Sequence, residues 1–200
     1  MKRSKARIWI RLLTVAALAL GLAFPGQLAG FLLMAAALLG AVAVLFRHLG
    51  ELTDLPDGHP KLKTLRLVTA FSVILLIACT VVIVLTETGR LALSEWEEMA
   101  LAACIECIVM LFGGNVAPKL PRSAHTGLRL PWTVADDETW IVAHRVLGYL
   151  SLPLVLVYVL GIPVVPSVPA FSVAIFLLWI GIPSGLSGLF YCRKYHPRRN

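Results

Sequence analysis

The residue types best suited to binding a ligand or a partner are concentrated between Asn115 and Arg145. This segment combines cations, carboxylates, tryptophans and a histidine with glycine and proline. We single out as candidate functional residues Asn115, Pro118, Lys119, Gly127, Arg129, Pro131, Trp132, Thr133, Glu138, Trp140, His144 and Arg145. Arg129 could form a binding cluster with the acidic run 136–138. The alternative is a loop held by its own ion pairs and helix cap, although exposed pairs contribute only about 0–1 kcal/mol each.

The sequence also predicts how this segment folds locally. Pro131 disfavours a helical conformation at the residue before it, so we expect extended backbone there. Thr133 is a good N-cap residue, and Asp136 occupies the reciprocal position three residues later. The acidic run 136–138 then falls in the first helical turn, where the helix dipole favours negative charge. This helix is predicted to continue into the membrane.

Further along that helix, Trp140, His144 and Leu147 fall on one face. His144 and Arg145 lie where the chain re-enters the membrane, and ionisable groups at that depth are costly and often functional. They could equally be interfacial side chains that extend toward the lipid headgroups. Trp132 is expected beside Trp140 at the membrane–water interface, which tryptophan favours.

Glu106 lies in the middle of an apolar run, where a carboxylate is a candidate functional residue. Cys104-x-x-Cys107 could bind a soft metal with it, but a single pair of cysteines is weak evidence, and packing of small side chains is the alternative. Other metal-ligand types, more typical of solvated turns, are His48, Asp54, Asp57, His59 and His125. We therefore predict no metal and no other cofactor. No known catalytic signature is present, so an enzyme is not the favoured class.

The composition places these residues in a membrane protein. Of the 200 residues, 58% are hydrophobic and 14% charged, whereas soluble domains are nearer a quarter charged. Apolar runs of about spanning length predict an all-α bundle of six transmembrane helices in one membrane domain, residues 1–200. The spans are 8–25, 28–46, 67–85, 96–114, 146–162 and 169–191, with a cytoplasmic motif loop at 115–145. The basic start resembles a signal peptide, but we expect it to be retained because no clear cleavage site follows.

The positive charges predict the orientation. All lysines and arginines except Arg90 fall in the two tails and the loops after the second and fourth spans. Positive residues are retained on the cytoplasmic side, so both termini are predicted to be cytoplasmic. The net charge of +7 is explained by this topology, and no direct nucleic-acid partner is expected. The predicted location is the bacterial cytoplasmic (inner) membrane.

The motif resembles that of the SdpI family of bacterial membrane proteins, which give immunity to a secreted sporulation-delay toxin. The resemblance rests on ordered matches at Gly114-Asn115, Pro118-Lys119, Gly127-x-Arg129-x-Pro131-Trp132-Thr133, Glu138, Trp140, His144-Arg145 and Gly148. It implies a non-enzymatic immunity or signal-transduction protein with three kinds of partner: the lipid bilayer, a peptide toxin and a cytoplasmic repressor.

Two other functions remain open from the residues alone. A transporter or channel for a small solute would use Glu106 and His144 as polar positions along its path. A membrane enzyme would have its site in the 115–145 loop.

Overall fold

The computed structural model describes residues 2–24, 26–49, 60–122 and 126–195. Within these ranges every regular secondary-structure element is a helix. The helices are α1 (Lys2–Ala23), α2 (Leu28–Arg47), α3 (Pro60–Glu87), α4 (Glu95–Val116), α5 (Pro131–Ala135), α6 (Asp137–Gly161) and α7 (Val168–Tyr195), with a 3-10 turn at Ala117–Lys119. This confirms the predicted all-α class.

Five of the described helices are long and apolar enough to cross a membrane: α2, most of α3, α4 with its following turn, α6 and α7. The apolar part of α1, Ile8–Ala23, is shorter than a usual span. The expectation of six spans and of cytoplasmic termini stays a prediction.

The chain divides into two compact units, residues 1–93 and 94–200. In the first unit, α2 packs against both α1 and α3. Gly26, between α1 and α2, adopts a positive φ of 71°, which glycine does at little steric cost. In the second unit, α6 packs against α4 and α7, around a core that includes Met110, Tyr158 and Trp179.

Local sequence explains where α4 begins. The Ser94 hydroxyl accepts the Glu97 backbone N–H at 3.3 Å, and the Glu97 carboxylate accepts the Ser94 backbone N–H at 2.8 Å. This reciprocal pair is the predicted capping box. Glu95 and Glu98 add negative charge to the same first turn, which the helix dipole favours.

The predicted motif loop, 115–145, is not a continuous loop in the structure. Its first residues complete α4 and form the 3-10 turn, and its last nine belong to α6. Of the intervening residues, 131–135 form α5. The motif is therefore mostly helical, and it is held against α4, α6 and α7 by contacts distant in sequence.

Candidate functional site at the ends of α4, α6 and α7

His144 is the central residue of the motif and is only 2% exposed. Its Nε2 accepts the backbone N–H of Leu128 at 3.0 Å, and its Nδ1 lies 2.8 Å from the carbonyl oxygen of Trp140. Since Nε2 accepts, Nδ1 carries the proton and donates to that carbonyl. Both ring nitrogens are used internally, so His144 does not extend toward the headgroups.

Trp140 completes this contact. Its ring stacks on the imidazole with centroids 4.0 Å apart, and its indole N–H donates to the Leu120 carbonyl at 3.2 Å. The predicted shared face of Trp140, His144 and Leu147 is confirmed, because all three are buried. Through these hydrogen bonds, Trp140 binds Leu120 and His144 binds Leu128, so the chain on both sides of residues 123–125 is held against α6.

Gly127 is required by this packing for two reasons. Its φ is +97°, a conformation that side-chain-bearing residues rarely adopt. A Cβ atom at this position would also lie 2.5 Å from His144 Nε2 and 2.9 Å from the Trp140 ring. The glycine thus allows the backbone to reach the imidazole.

Thr133 differs from its predicted role. It is not the N-cap of the long helix but the third residue of α5, whose N-cap is Leu130. Its fully buried hydroxyl accepts the Leu130 N–H at 2.9 Å and lies 2.8 Å from the Leu128 carbonyl oxygen. Pro131 starts α5 because a helix's first residue needs no N–H, and Leu130 is extended as predicted.

Trp132 attaches α5 to α7. Its indole N–H donates to the Ser187 hydroxyl at 3.1 Å, across 55 residues of sequence. A Cβ atom on Gly188 would come within 3.4 Å of the indole, so the ring packs closely over that glycine. The Trp132 side chain is half-buried, and its indole N–H is bonded within the protein.

Asp136 is the N-cap of α6 and the point where α6 meets the end of α7. One carboxylate oxygen accepts the Thr139 N–H at 2.9 Å and its hydroxyl at 2.7 Å. The other accepts from Lys194 and from the Tyr195 hydroxyl, each at 2.9 Å. The bond from Lys194, followed by those from Thr139, holds the pKa of Asp136 well below its usual range.

The other two acidic residues of this turn also have cationic partners. Lys194 reaches Glu138 at 2.8 Å, and Arg122 reaches Asp137 at 3.0 Å. Among the described residues, the ion pairs of this turn are made by Arg122 and Lys194 and not by Arg129, and a binding role for Arg129 with residues 136–138 stays a prediction. Only the pair of Arg122 with Asp137 lies within the segment, and the pairs of Asp136 and Glu138 join it to Lys194 of α7.

The first part of the motif lets α4 approach α6. A Cβ atom on Gly148 would meet the Pro118 ring at 2.8 Å and the Gly114 carbonyl at 2.9 Å. A Cβ atom on Gly114 would overlap the Ser151 side chain. Lys119 donates to the exposed side-chain oxygen of Asn115 at 3.0 Å.

Arg129 and Arg145 are exposed, as is Arg122, which pairs with Asp137. Leu128 and His144 are joined by a hydrogen bond. Arg129 is next to Leu128 in the chain and Arg145 is next to His144, so each arginine adjoins one partner of that bond. Among the described residues, no carboxylate lies within ion-pair distance of either guanidinium. The motif thus combines a buried, internally bonded framework with two cations available to an outside group.

Glu106 lies apart from the motif, in the middle of α4. One carboxylate oxygen is buried and has no hydrogen-bond partner among the described residues. Nearby, the hydroxyls of Tyr158 and Ser172 form a hydrogen bond, and Glu106 is within electrostatic range of Tyr158.

The candidate metal ligands are not assembled in the part of the chain that the structure describes. No group of three or more His, Cys, Asp or Glu side chains could hold a metal there. Cys104 and Cys107 are free thiols, with Cys104 exposed. Asp54, Asp57, His59 and His125 lie outside the described residues.

Several residues of the framework are missing from the predicted set: Ser151, Trp179, Ser187, Lys194 and Tyr195. Ser151 accepts the Trp179 indole N–H at 2.7 Å and joins α6 to α7. These residues are scattered within apolar or basic stretches, and no motif or spacing in the sequence marks them as partners of the motif.

The fold and this site define an all-helical, multi-pass membrane protein with a polar motif at the ends of its second-unit helices. The model of the SdpI/YfhL protein family matches residues 119–187, from the 3-10 turn into the second half of α7. The match covers about a third of the chain and agrees with the resemblance to the SdpI family drawn from the motif residues. Comparison with curated proteins and with solved structures gave no match.

Proposed function

We propose that this is an SdpI-like protein of the bacterial cytoplasmic membrane that gives immunity to, or senses, a secreted antimicrobial peptide. The observation that carries the proposal is the family match at residues 119–187, which includes Arg129 and Arg145. Exposed polar groups held on a fixed framework are typical of recognition surfaces rather than of packing.

The proposed mechanism has two parts. The peptide binds in the plane of the membrane, and the segment from Arg129 to Arg145 transmits its presence to a cytoplasmic protein such as a repressor. The contacts support such coupling, because the backbone beside Arg129 is bonded to α6 through His144. The start of α6 is in turn bonded to the end of α7 through Asp136. A shift of either helix would therefore move the arginines.

The test is survival of a toxin-sensitive strain that expresses the full chain. We expect protection by the wild type and loss of protection by Arg129→Ala and by Arg145→Ala at unchanged membrane abundance. Arg193→Ala, which removes an exposed cation of α7, is the matched control and should protect. Protection by Arg129→Ala and Arg145→Ala equal to that of the wild type would remove the motif from the mechanism.

A second candidate, a small-solute transporter or channel, is favoured by one observation. The buried, unpartnered oxygen of Glu106 is a polar position inside a spanning helix, where such groups often mark a transport path. Flux in proteoliposomes should then fall in Glu106→Gln and persist in Glu98→Gln, which alters an exposed carboxylate of the same helix. Equal flux in both variants would reject this alternative.

A further inference from the structure

A groove in the first unit lies between α2 and α3. Its volume is about 520 Å³. Apart from one arginine, the side chains that line it are apolar, and they include Leu39, Val42, Phe46, Ala70, Val73 and Ile74. Both helices are long and apolar enough to span a membrane. In a membrane-spanning pair of helices, an apolar groove of this kind lies at the depth of the acyl chains.

One end of the groove is cationic. Arg47, the last residue of α2, lines the groove and is exposed. Arg66 lies four residues before Ala70, so it shares that face of α3 one turn nearer the helix start, and it is also exposed. The end of α2 and the start of α3 belong to the same hairpin, so both arginines are at the same end of it. Within residues 26–49 and 60–93, no carboxylate lies within ion-pair distance of either guanidinium.

We propose that this groove binds an anionic glycerophospholipid. An acyl chain occupies the apolar part, and the phosphate contacts Arg47 and Arg66. Guanidinium groups bind phosphate through paired, charge-assisted hydrogen bonds. Basic residues between membrane helices are a known arrangement for anionic headgroups. The combination of an apolar channel with cations at one end matches an amphiphile with a negative headgroup better than it matches a neutral lipid.

The experiment uses the full chain reconstituted into bilayers of mixed phosphatidylglycerol and phosphatidylcholine. Lipid that stays bound after gentle extraction is identified by native mass spectrometry. We expect bound phosphatidylglycerol to be enriched severalfold over its share of the bilayer. In Arg47→Gln and Arg66→Gln the enrichment should fall toward the bilayer composition. Arg90→Gln, which removes an exposed cation beyond the other end of α3, is the charge-matched control and should keep it.

A second variant tests the groove without altering charge. Ala70→Leu adds three carbons to the groove lining and should reduce all bound lipid, whereas Ala102→Leu on an exposed face of α4 should not. Helicity by circular dichroism establishes that each variant is folded. Bound lipid at the bilayer composition in the wild type would overturn the proposal, as would an equal loss of enrichment in Arg90→Gln. Toxin protection is a separate readout, so failure here leaves the proposed function standing.

Discussion

The imidazole of His144 accepts a hydrogen bond from the backbone N–H of Leu128, sixteen residues earlier in the chain. This bond fixes the extended segment that carries Arg129 onto the first turns of α6. The adjacent residue, Arg145, is exposed on the same helix. Neighbouring positions thus have opposite roles, one structural and one available for recognition, and this separation can be tested by mutation.

His144→Ala should destabilise the protein, whereas Arg145→Ala should not. The first change leaves the Leu128 N–H without its acceptor, and an unsatisfied buried donor costs about 1–3 kcal/mol. Equilibrium unfolding in mixed micelles, followed by tryptophan fluorescence, gives the free energy of unfolding. Equal stability of the two variants would show that the imidazole contact does not hold the segment.

Gly127→Ala should cost more stability than Gly89→Ala. Both glycines have positive φ, but an added Cβ at Gly89 meets no atom within 4 Å, while at Gly127 it meets His144 and Trp140. Backbone strain alone costs about 1–3 kcal/mol, and it should account for the whole effect at Gly89. The clash adds to it at Gly127, and the same unfolding measurement reports the difference. Similar losses at both sites would argue against the close packing of Gly127 on the imidazole.

Trp132→Phe and Ser187→Ala should be coupled. The indole N–H of Trp132 donates to the Ser187 hydroxyl, and each single change removes the same bond. In a double-mutant cycle we expect a coupling free energy of about 0.6 kcal/mol, the average for hydrogen bonds between membrane helices. Additive effects would mean that α5 is not attached to α7 by this bond.

The attachment of α7 to α6 should weaken in acid. The folded-state pKa of Asp136 is depressed, so its stabilising contribution is complete above the ordinary carboxyl pKa of about 3.9 and is lost as the pH falls through the lower folded value. Hydrogen exchange at residues 190–195 should therefore rise only at strongly acidic pH.

Two substitutions distinguish the role of the Asp136 carboxylate from that of Asp137. Asp136→Asn keeps a good N-cap residue but removes the charge that faces Lys194, so exchange near the end of α7 should be faster already at neutral pH. Asp137→Asn, whose partner is Arg122, should leave that exchange unchanged. A faster exchange in both variants, or in neither, would contradict the role assigned to Asp136.

Local patterns in the sequence predicted local structure well. The Ser94–Glu97 capping box depends on residues three apart, and the face of Trp140, His144 and Leu147 depends only on helical periodicity. The start of α6 was misplaced, because Thr133 and Asp136 are both good caps. Pro131 allows a short extra helix that places Thr133 inside it.

The partners within the site could not be predicted in this way. Asp136 and Glu138 bind Lys194, more than fifty residues away, and no spacing rule links a helix start to the end of a later helix. The need for Gly127 likewise depends on where the His144 and Trp140 rings lie in space. The membrane-spanning class could be predicted from composition, because it depends on the hydropathy summed over each helix.

The side of the membrane that Arg129 faces tests the central proposal most directly. In a background with Cys79, Cys104, Cys107 and Cys192 replaced by serine, Arg129→Cys and Arg90→Cys are treated with a membrane-impermeant thiol reagent. We expect Arg90→Cys to react in intact cells and Arg129→Cys to react only in inverted vesicles. Reaction of Arg129→Cys in intact cells would contradict the predicted topology and the proposed coupling to a cytoplasmic partner.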